Sequence, residues 1–451
     1  MKYFFAVLLV LITTLSYAED KTQWLSDANA AFINKDYTRA YSLYLKLADQ
    51  KNDQTAQYQL GYLYLNGMGV EKDSEKAAAW FNKAGQQGLA LAQFASATLY
   101  YLGAGLPREL SEATKFYQSA ATLNNREAQY MMAYLYSNGL ELEKNQALAN
   151  DFYTKAAAQG LMSAEYNLGL NYYLGEGVVK DWGKAFNWFN MAAQQGSVKA
   201  QFMLGLMYSG SSAPDYVQAL RWYQAAAEKN FANAQYNLGV MYYNGHGVPV
   251  DLAQAVNWIS KAATQDFVPA QYVMGYFALN GLGTSKDLTQ ALNWYMKAAK
   301  QDSADAEFAL GFMYHNGLGV AKDDRQAFTW CMSAAKQGLM NAEYMVGYFY
   351  QKGLGVLSDP KMALLWYDKA AQQGMENAQL LLGVMYSEGQ GVPRDFKTAY
   401  AWLNVVSTSN NAEMREAALK LRDETAKNMS PTEIAAAQQI SQVFYSKYVK
   451  V

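Results

Sequence analysis

The sequence is poor in the residues that most often carry chemistry. Its 451 residues include one cysteine, Cys331, and two histidines, His246 and His315. A lone thiol excludes an internal disulfide framework, and no cysteine, histidine or carboxylate cluster has the spacing of a metal site, so no metal is expected. Seven prolines are too few for long proline-rich linkers. Neither sign of charge dominates: 37 basic residues face 39 acidic ones with no block of like charge, which gives nucleic acid or an anionic membrane nothing to recognise. After the first eighteen residues no apolar run is long enough to span a bilayer, so no integral membrane span is expected once that segment is removed.

Aromatic residues are abundant instead: 36 Tyr, 19 Phe and 10 Trp are more than a solvated surface needs, and they have to be packed or used. The N-terminus reads as an address. Lys2 precedes the apolar run "FFAVLLVLITTL", and "SYA" at Ser16–Ala18 is a small-x-small cleavage site, which predicts an export signal over 1–18 and a mature chain from Glu19. The short basic region suits a bacterial export signal, with the periplasm the first expected destination and the cell surface or full secretion the second.

The stretch "YLGEGVVKD" (Tyr173–Asp181) resembles a phosphate-cradling loop at first sight, but it lacks the Lys-Ser/Thr pair such a loop needs. Its meaning comes from repetition. "AEYNLGLNYYLGEGVVKDWGKAFNWFNMAAQQG" from Ala164 and "AQYNLGVMYYNGHGVPVDLAQAVNWISKAATQD" from Ala234 are one pattern written twice. With the residue of the "LG" step as origin, the copies fall at Gly61, Ala97, Ala133, Gly169, Gly205, Gly239, Gly275, Gly311, Gly347 and Gly383, 36 residues apart except for 34 from Gly205 to Gly239. Each copy has the composition of a helical hairpin. A first helix (helix A) carries the "LG" step, a Gly-x-Gly turn breaks it, and an Asp N-cap starts helix B: Asp73, Asp181, Asp215, Asp251, Asp287, Asp323, Asp359 and Asp395, with Glu109 and Asn145 in the two remaining copies. Helix B repeats an Ala/aromatic/Ala face, and eight tryptophans from Trp80 to Trp402 occupy its aromatic position, where they are expected to be core. Cys331 stands where other copies have aromatic or large aliphatic residues, as a buried small hydrophobe would.

The string Ala-Gln-Tyr-x-Leu-Gly-x-x-Tyr-x-x-Gly-x-Gly-Val-x-x-Asp-x-x-x-Ala-x-x-Trp-x-x-x-Ala-Ala-x-x-Gly resembles the Sel-1-like repeat, a relative of the tetratricopeptide repeat. The resemblance implies an all-α chain: an α/α superhelical solenoid of about ten 36-residue helix-turn-helix repeats. It divides as a signal at 1–18, a tetratricopeptide-like capping hairpin at 19–51, repeats at 52–407 and C-terminal capping helices at 408–451, the last opened by Ser430, Pro431 and Glu433 as a capping box. It also implies a non-enzymatic protein–protein adaptor without a cofactor, exported bacterial members including envelope, signalling and virulence scaffolds. "SAAK" (Ser333–Lys336) and "SDPK" (Ser358–Lys361) match the Ser-x-x-Lys of penicillin-recognising enzymes, but the companion Lys-Thr-Gly and Ser-Asp-Asn are absent, as are the paired cysteines of β-lactam-associated relatives.

Binding is therefore expected on helix A. Positions three before and one and four after the reference residue form one stripe. An aromatic stands at the first in nine of the ten copies, a constancy that predicts packing, whereas the last varies. Variation inside a repeated frame is where a partner can be encoded, and Tyr101, Tyr173, Tyr243, His315 and Gln351 at that position are the candidate groove residues. The expected partner is a protein or peptide segment; the alternative is a glycan, for which exposed coplanar rings at Tyr101, Tyr173 and Tyr243 would be required.

Overall fold

The computed structural model describes residues 21–448; the expected export signal lies outside the described residues. All regular structure among them is α-helical. The chain divides between Ser211 and Ser212 into two compact units. The N-terminal unit runs α1 (21–33), α2 (Tyr37–Lys51), α3 (Gln54–Asn66), α4 (Ser74–Gln86), α5 (Ala90–Leu102), α6 (Leu110–Thr122), α7 (Arg126–Asn138), α8 (Gln146–Ala158), α9 (Met162–Leu174), α10 (Trp182–Gln194) and α11 (Val198–Ser209). The C-terminal unit runs α12 (Tyr216–Ala227), α13 (Ala232–Asn244), α14 (Leu252–Ala263), α15 (Val268–Asn280), α16 (Leu288–Ala299), α17 (Ala304–Asn316), α18 (Asp324–Lys336), α19 (Met340–Lys352), α20 (Pro360–Gln372), α21 (Glu376–Glu388), α22 (Phe396–Val406), α23 (Ala412–Ala426) and α24 (Pro431–Tyr448). Within each unit a helix packs on its neighbours in sequence, as a stack of hairpins requires.

The hairpin geometry follows from three recurring contacts. All eight Asp N-caps accept a hydrogen bond from the backbone N–H three residues on, as Asp251 does from Gln254 at 2.9 Å. Asn145 does the same, but the side chain of Glu109 makes no capping bond; its extra methylene group is a physical reason for the poorer fit. The "LG" residue is where helix B crosses closest. A Cβ on Gly275 would lie 2.6 Å from the Tyr295 ring and one on Gly347 2.7 Å from the Tyr367 ring, so the small residue makes room for a large one. The third contact is at the turn. Gly281 closes helix A in the left-handed region, and Gly283, φ +65°, lies so close to the start of the preceding helix B that a Cβ there would be 2.7 Å from the Leu252 carbonyl carbon.

The tryptophans correct the sequence reading. The fully buried side chain of helix B is the residue after each tryptophan, a ring in Phe81, Phe189, Tyr223, Tyr295 and Tyr367 and Ile259, Cys331 or Leu403 in the other copies. Trp80, Trp188, Trp222, Trp258, Trp294 and Trp330 are only half-buried, and Trp366 and Trp402 alone among the eight are buried. One position of helical rotation moves the indole from the hairpin core to its edge, where Trp294 covers the core of the preceding repeat. A lysine one turn later then lies over several of these rings: Lys261 over Trp258 at 3.9 Å, Lys297 over Trp294 at 4.4 Å and Lys369 over Trp366 at 3.9 Å.

A buried amide ladder adds a polar element. The Gln or Glu four residues before the reference position is buried near the start of helix A, and a Gln at the end of helix B donates to it. Examples are Gln87 to Gln57 at 2.7 Å, Gln159 to Gln129 at 2.8 Å and Gln265 to Gln235 at 2.7 Å. Each pair ties the two ends of a hairpin and satisfies a group that would be costly to bury alone.

Candidate functional site

One face of helix A is the common feature of both units. In the ten copies, no residue at the positions three and two before, or one and four after, the reference residue carries a formal charge, and His315 is the only histidine among them. The aromatic three before the reference is packing, as expected: Tyr58 lies on Phe81 at 5.4 Å, Tyr272 on Tyr295 at 5.7 Å and Tyr344 on Tyr367 at 5.5 Å. The position one after the reference is the more open. Tyr62, Tyr276 and Phe312 are 37%, 41% and 45% exposed, and the position is apolar in every copy except Thr98.

The five candidates from the sequence are all half-buried and held by neighbours. In the N-terminal unit Tyr101 meets the Tyr117 ring edge-on at 6.4 Å, and Tyr173 lies against Trp182 at 5.6 Å with Lys180 above both rings. In the C-terminal unit Tyr243 stacks on Phe277 at 5.4 Å, His315 places Nδ1 2.6 Å from a carboxylate oxygen of Asp324, and Gln351 accepts a hydrogen bond from the Tyr367 hydroxyl at 3.0 Å. The variable position thus forms the wall of each groove, while the residue one after the reference is its open edge. The sequence did contain the signal for that edge, a nearly invariant aromatic or aliphatic character. Two depressions lie on this face: about 320 Å³ between α3 and α5, lined by Tyr58, Tyr62, Leu65 and Leu91 among others, and about 260 Å³ between α13 and α15, lined by Tyr243, Tyr276, Val240 and Val273.

Nothing on the described surface assembles a nucleophile or a metal site. Ser333 donates to the ladder carboxylate of Glu307 at 2.6 Å, and Ser358 bonds the Gln351 carbonyl at 3.4 Å, so each Ser-x-x-Lys serine has a structural partner. Burial pushes the Cys331 thiol up to about 12, which keeps it protonated and unreactive. His246 sits in a turn stacked on Tyr216 at 4.4 Å, and among the described residues no three His, Cys, Asp or Glu side chains group as metal ligands. No described helix is long and apolar enough to cross a membrane.

Comparison with known proteins agrees with this geometry. The family model for the Sel1 repeat matches eleven segments: 29–52, 54–89, 90–125, 126–161, 163–197, 198–231, 232–267, 268–303, 304–339, 341–375 and 377–404. The eleventh, at 29–52, falls in the N-terminal hairpin, whose shorter turn carries Lys35 at positive φ in place of the glycine pair and so escapes a search keyed on glycines. The crystal structure of c5321, a protective antigen present in uropathogenic Escherichia coli strains and displaying an SLR fold, is similar at 30% identity over 90% of this chain and 94% of that one, with a TM-score of 0.62. A Sel1 repeat protein from Oxalobacter formigenes is similar at 30% identity over 69% of this chain and 92% of that one, with a TM-score of 0.57. No curated protein matches. With repeat matches along most of its length and the hairpin geometry they specify, the chain belongs to the Sel1 repeat family, whose members generally act as non-catalytic protein-interaction scaffolds.

Proposed function

We propose that this chain is an exported, non-enzymatic scaffold of the bacterial envelope that receives an uncharged, apolar segment of a partner protein on the open faces of its A helices. The observation that carries the reading is the absence of formal charge from those four helix A positions in every copy, in a chain that is 17% charged overall. Aromatic or aliphatic side chains would fill the depressions beside Tyr62 and Tyr276, whose linings are mostly aromatic and aliphatic, with Glu127 the one charged lining residue. Export is supported by the N-terminal sequence, and an envelope or host-facing role by the similarity to the E. coli antigen. A glycan partner fits less well, because Tyr101, Tyr173 and Tyr243 are half-buried and each packs on another ring of the chain, Tyr117, Trp182 and Phe277, rather than forming a set of free coplanar rings.

The test is site-specific photo-crosslinking in native cells, with the reactive side chain at Tyr62, at Tyr276, and at the exposed helix B positions Lys184 and Gln254. Adducts are expected from the first two sites to the same protein and none from the last two. Equal labelling at all four sites, or none at Tyr62 and Tyr276, would remove the basis for a helix A groove. Sequencing the N-terminus of the protein recovered from cell fractions tests export, with Glu19 the expected first residue.

A further inference from the structure

The amide ladder has one open rung. In seven hairpins the Gln that ends helix B donates through Nε2 to the buried Gln or Glu of helix A: Gln87 to Gln57, Gln159 to Gln129, Gln195 to Glu165, Gln265 to Gln235, Gln301 to Gln271, Gln337 to Glu307 and Gln373 to Glu343. Gln373 uses the same nitrogen for a second acceptor, the carbonyl of Gly338 at 3.0 Å, so one –NH₂ group bridges a backbone carbonyl and a buried side-chain oxygen.

One repeat later, Ser409 stands where Gln373 stood. One backbone bond is common to both places, each N–H bonding the carbonyl three residues back: Gln373 to Ala370 at 3.2 Å and Ser409 to Val406 at 2.9 Å. The serine side chain is too short to reach the ladder and bonds Glu376 at 2.8 Å instead. Gln379, the buried ladder residue of this hairpin, is 2% exposed; its Nε2 donates to the Ala371 carbonyl, and its Oε1 has no hydrogen-bond partner among the described residues. Around it opens a cleft of about 450 Å³ lined by Gln379, Gly374, Glu376, Ser409 and the rings of Tyr445 and Tyr448. Gly374 is the counterpart of Gly338. The counterparts of the two acceptors that Gln373 bridges one repeat earlier are therefore both carried by residues that line the cleft. Two other hairpins also lack the glutamine donor and are instructive: the helix B residue is Leu123 for Gln93 and Lys229 for Gln201, and in both the buried Oε1 is closed off without a partner rather than open to a cleft.

We infer that this cleft is a binding site for a primary carboxamide, the side chain of a glutamine on a partner protein segment, whose –NH₂ bridges the Gly374 carbonyl and Gln379 Oε1 as the Gln373 amide bridges Gly338 and Glu343. The tyrosines supply walls for the aliphatic stem, and the Glu376 carboxylate favours a donor and disfavours a carboxylate ligand. That the glutamine comes from a protein rests on the scaffold reading; the amide chemistry does not.

The full mature chain is titrated with N-acetyl-L-glutamine methylamide, N-acetyl-L-leucine methylamide and free L-glutamine, following the Gln379 side-chain and Ser409 backbone amides by NMR. The glutamine derivative is expected to give saturable shifts in the millimolar range and the leucine derivative none. In Ser409→Gln the chain's own amide fills the slot, so the Tm should rise and the affinity fall by at least about tenfold. Gln379→Leu should also abolish binding, and its circular dichroism reports whether it remains folded. The site is overturned if neither amide binds, if the leucine derivative binds equally, or if Ser409→Gln binds as the wild type does. Tighter binding of free glutamine than of its capped form would overturn the partner-segment source. Loss of crosslinking at Tyr62 and Tyr276 without loss of amide binding would count against the helix A groove and leave the cleft standing.

Discussion

Alanine at Gly283 isolates what holds one repeat to the next. At φ +65° an L-residue costs about 1–2 kcal/mol, of which about 0.4–1 kcal/mol is returned by restricting the unfolded chain. Three glycines separate this cost from packing. Gly338, φ +84°, has nothing within 4 Å of its added Cβ, so Gly338→Ala should report the backbone term alone, about 1 kcal/mol. Gly281, φ +72°, would bring Cβ to 3.3 Å from Lys286, a contact that a few tenths of an ångström relieve. Gly283→Ala drives Cβ into the Leu252 carbonyl, with Val256 at 2.9 Å, and no rotamer change moves a carbonyl. Overpacking of this kind adds about 1–3 kcal/mol, for a total of about 2–4 kcal/mol. Urea unfolding followed by circular dichroism measures the series, and hydrogen exchange across 252–299 shows whether the loss is local to the contact. Gly283→Ala within about 0.5 kcal/mol of Gly281→Ala would refute the inter-repeat contact. The chain contains its own partial control: Glu141 occupies the equivalent place at φ 57°, and the helix it would touch begins behind Glu109, the position whose side chain makes no capping bond. A helix start without a side-chain cap thus accompanies the non-glycine residue, and Glu141→Gly should stabilise by up to about 1 kcal/mol.

Three further outcomes are expected. Tyr295→Ala should cost about 3–5 kcal/mol and Trp294→Ala roughly half as much, because the tyrosine is buried in the hairpin and the indole covers its edge under Lys297; equal costs in thermal unfolding would return the tryptophan to the core. Burial raises the carboxyls of Glu165 and Glu343 above the usual carboxylate range against the lowering effect of Gln195 and Gln373, so the folded state holds these protons more tightly than the unfolded one, and stability falls as pH rises from the usual range through the raised values. Glu165→Gln with Glu343→Gln should therefore raise the Tm at neutral pH, the gain shrinking on acidification; a gain that grew toward low pH would reverse the assignment. Deleting Ala270–Asp305, one whole repeat, should leave a folded helical chain by circular dichroism and gel filtration while deleting half of it should not, and equal behaviour of the two deletions would mean that the register is wrong.

The fold was legible because each repeat spells out its own boundaries. The Asp N-caps and the paired glycines are local chemistry, and ten copies turn a weak signal at any one of them into a strong one. What was misread depended on helical rotation. The Ala/Trp/Ala spacing places the three residues near one face, but the indole is large enough to lie at the rim while the next side chain, Tyr295 or Phe189, points at the "LG" residue. Only the close approach of the two helices separates these neighbours, and that distance is not written in a periodicity.

The same limit applies to the site. Variation at Tyr101, Tyr173, Tyr243, His315 and Gln351 was the sequence's best indication of individuality, yet each side chain has a partner inside its own unit, so part of the variation is compensation between neighbours. Gln351 accepts from Tyr367 where His315 faces Asp324; a change at one member of such a pair is tied to the other before any ligand is involved. Constancy proved as informative as variation. The residue after the "LG" step stays aromatic or aliphatic in nine copies while three of its side chains, Tyr62, Tyr276 and Phe312, are exposed, so a requirement from outside the hairpin is the simplest reason for keeping it. The open rung at Ser409 follows the same logic from the opposite side: when a frame repeats a buried pair, a copy that lacks one member and opens onto a cleft presents an acceptor whose usual partner the other copies define.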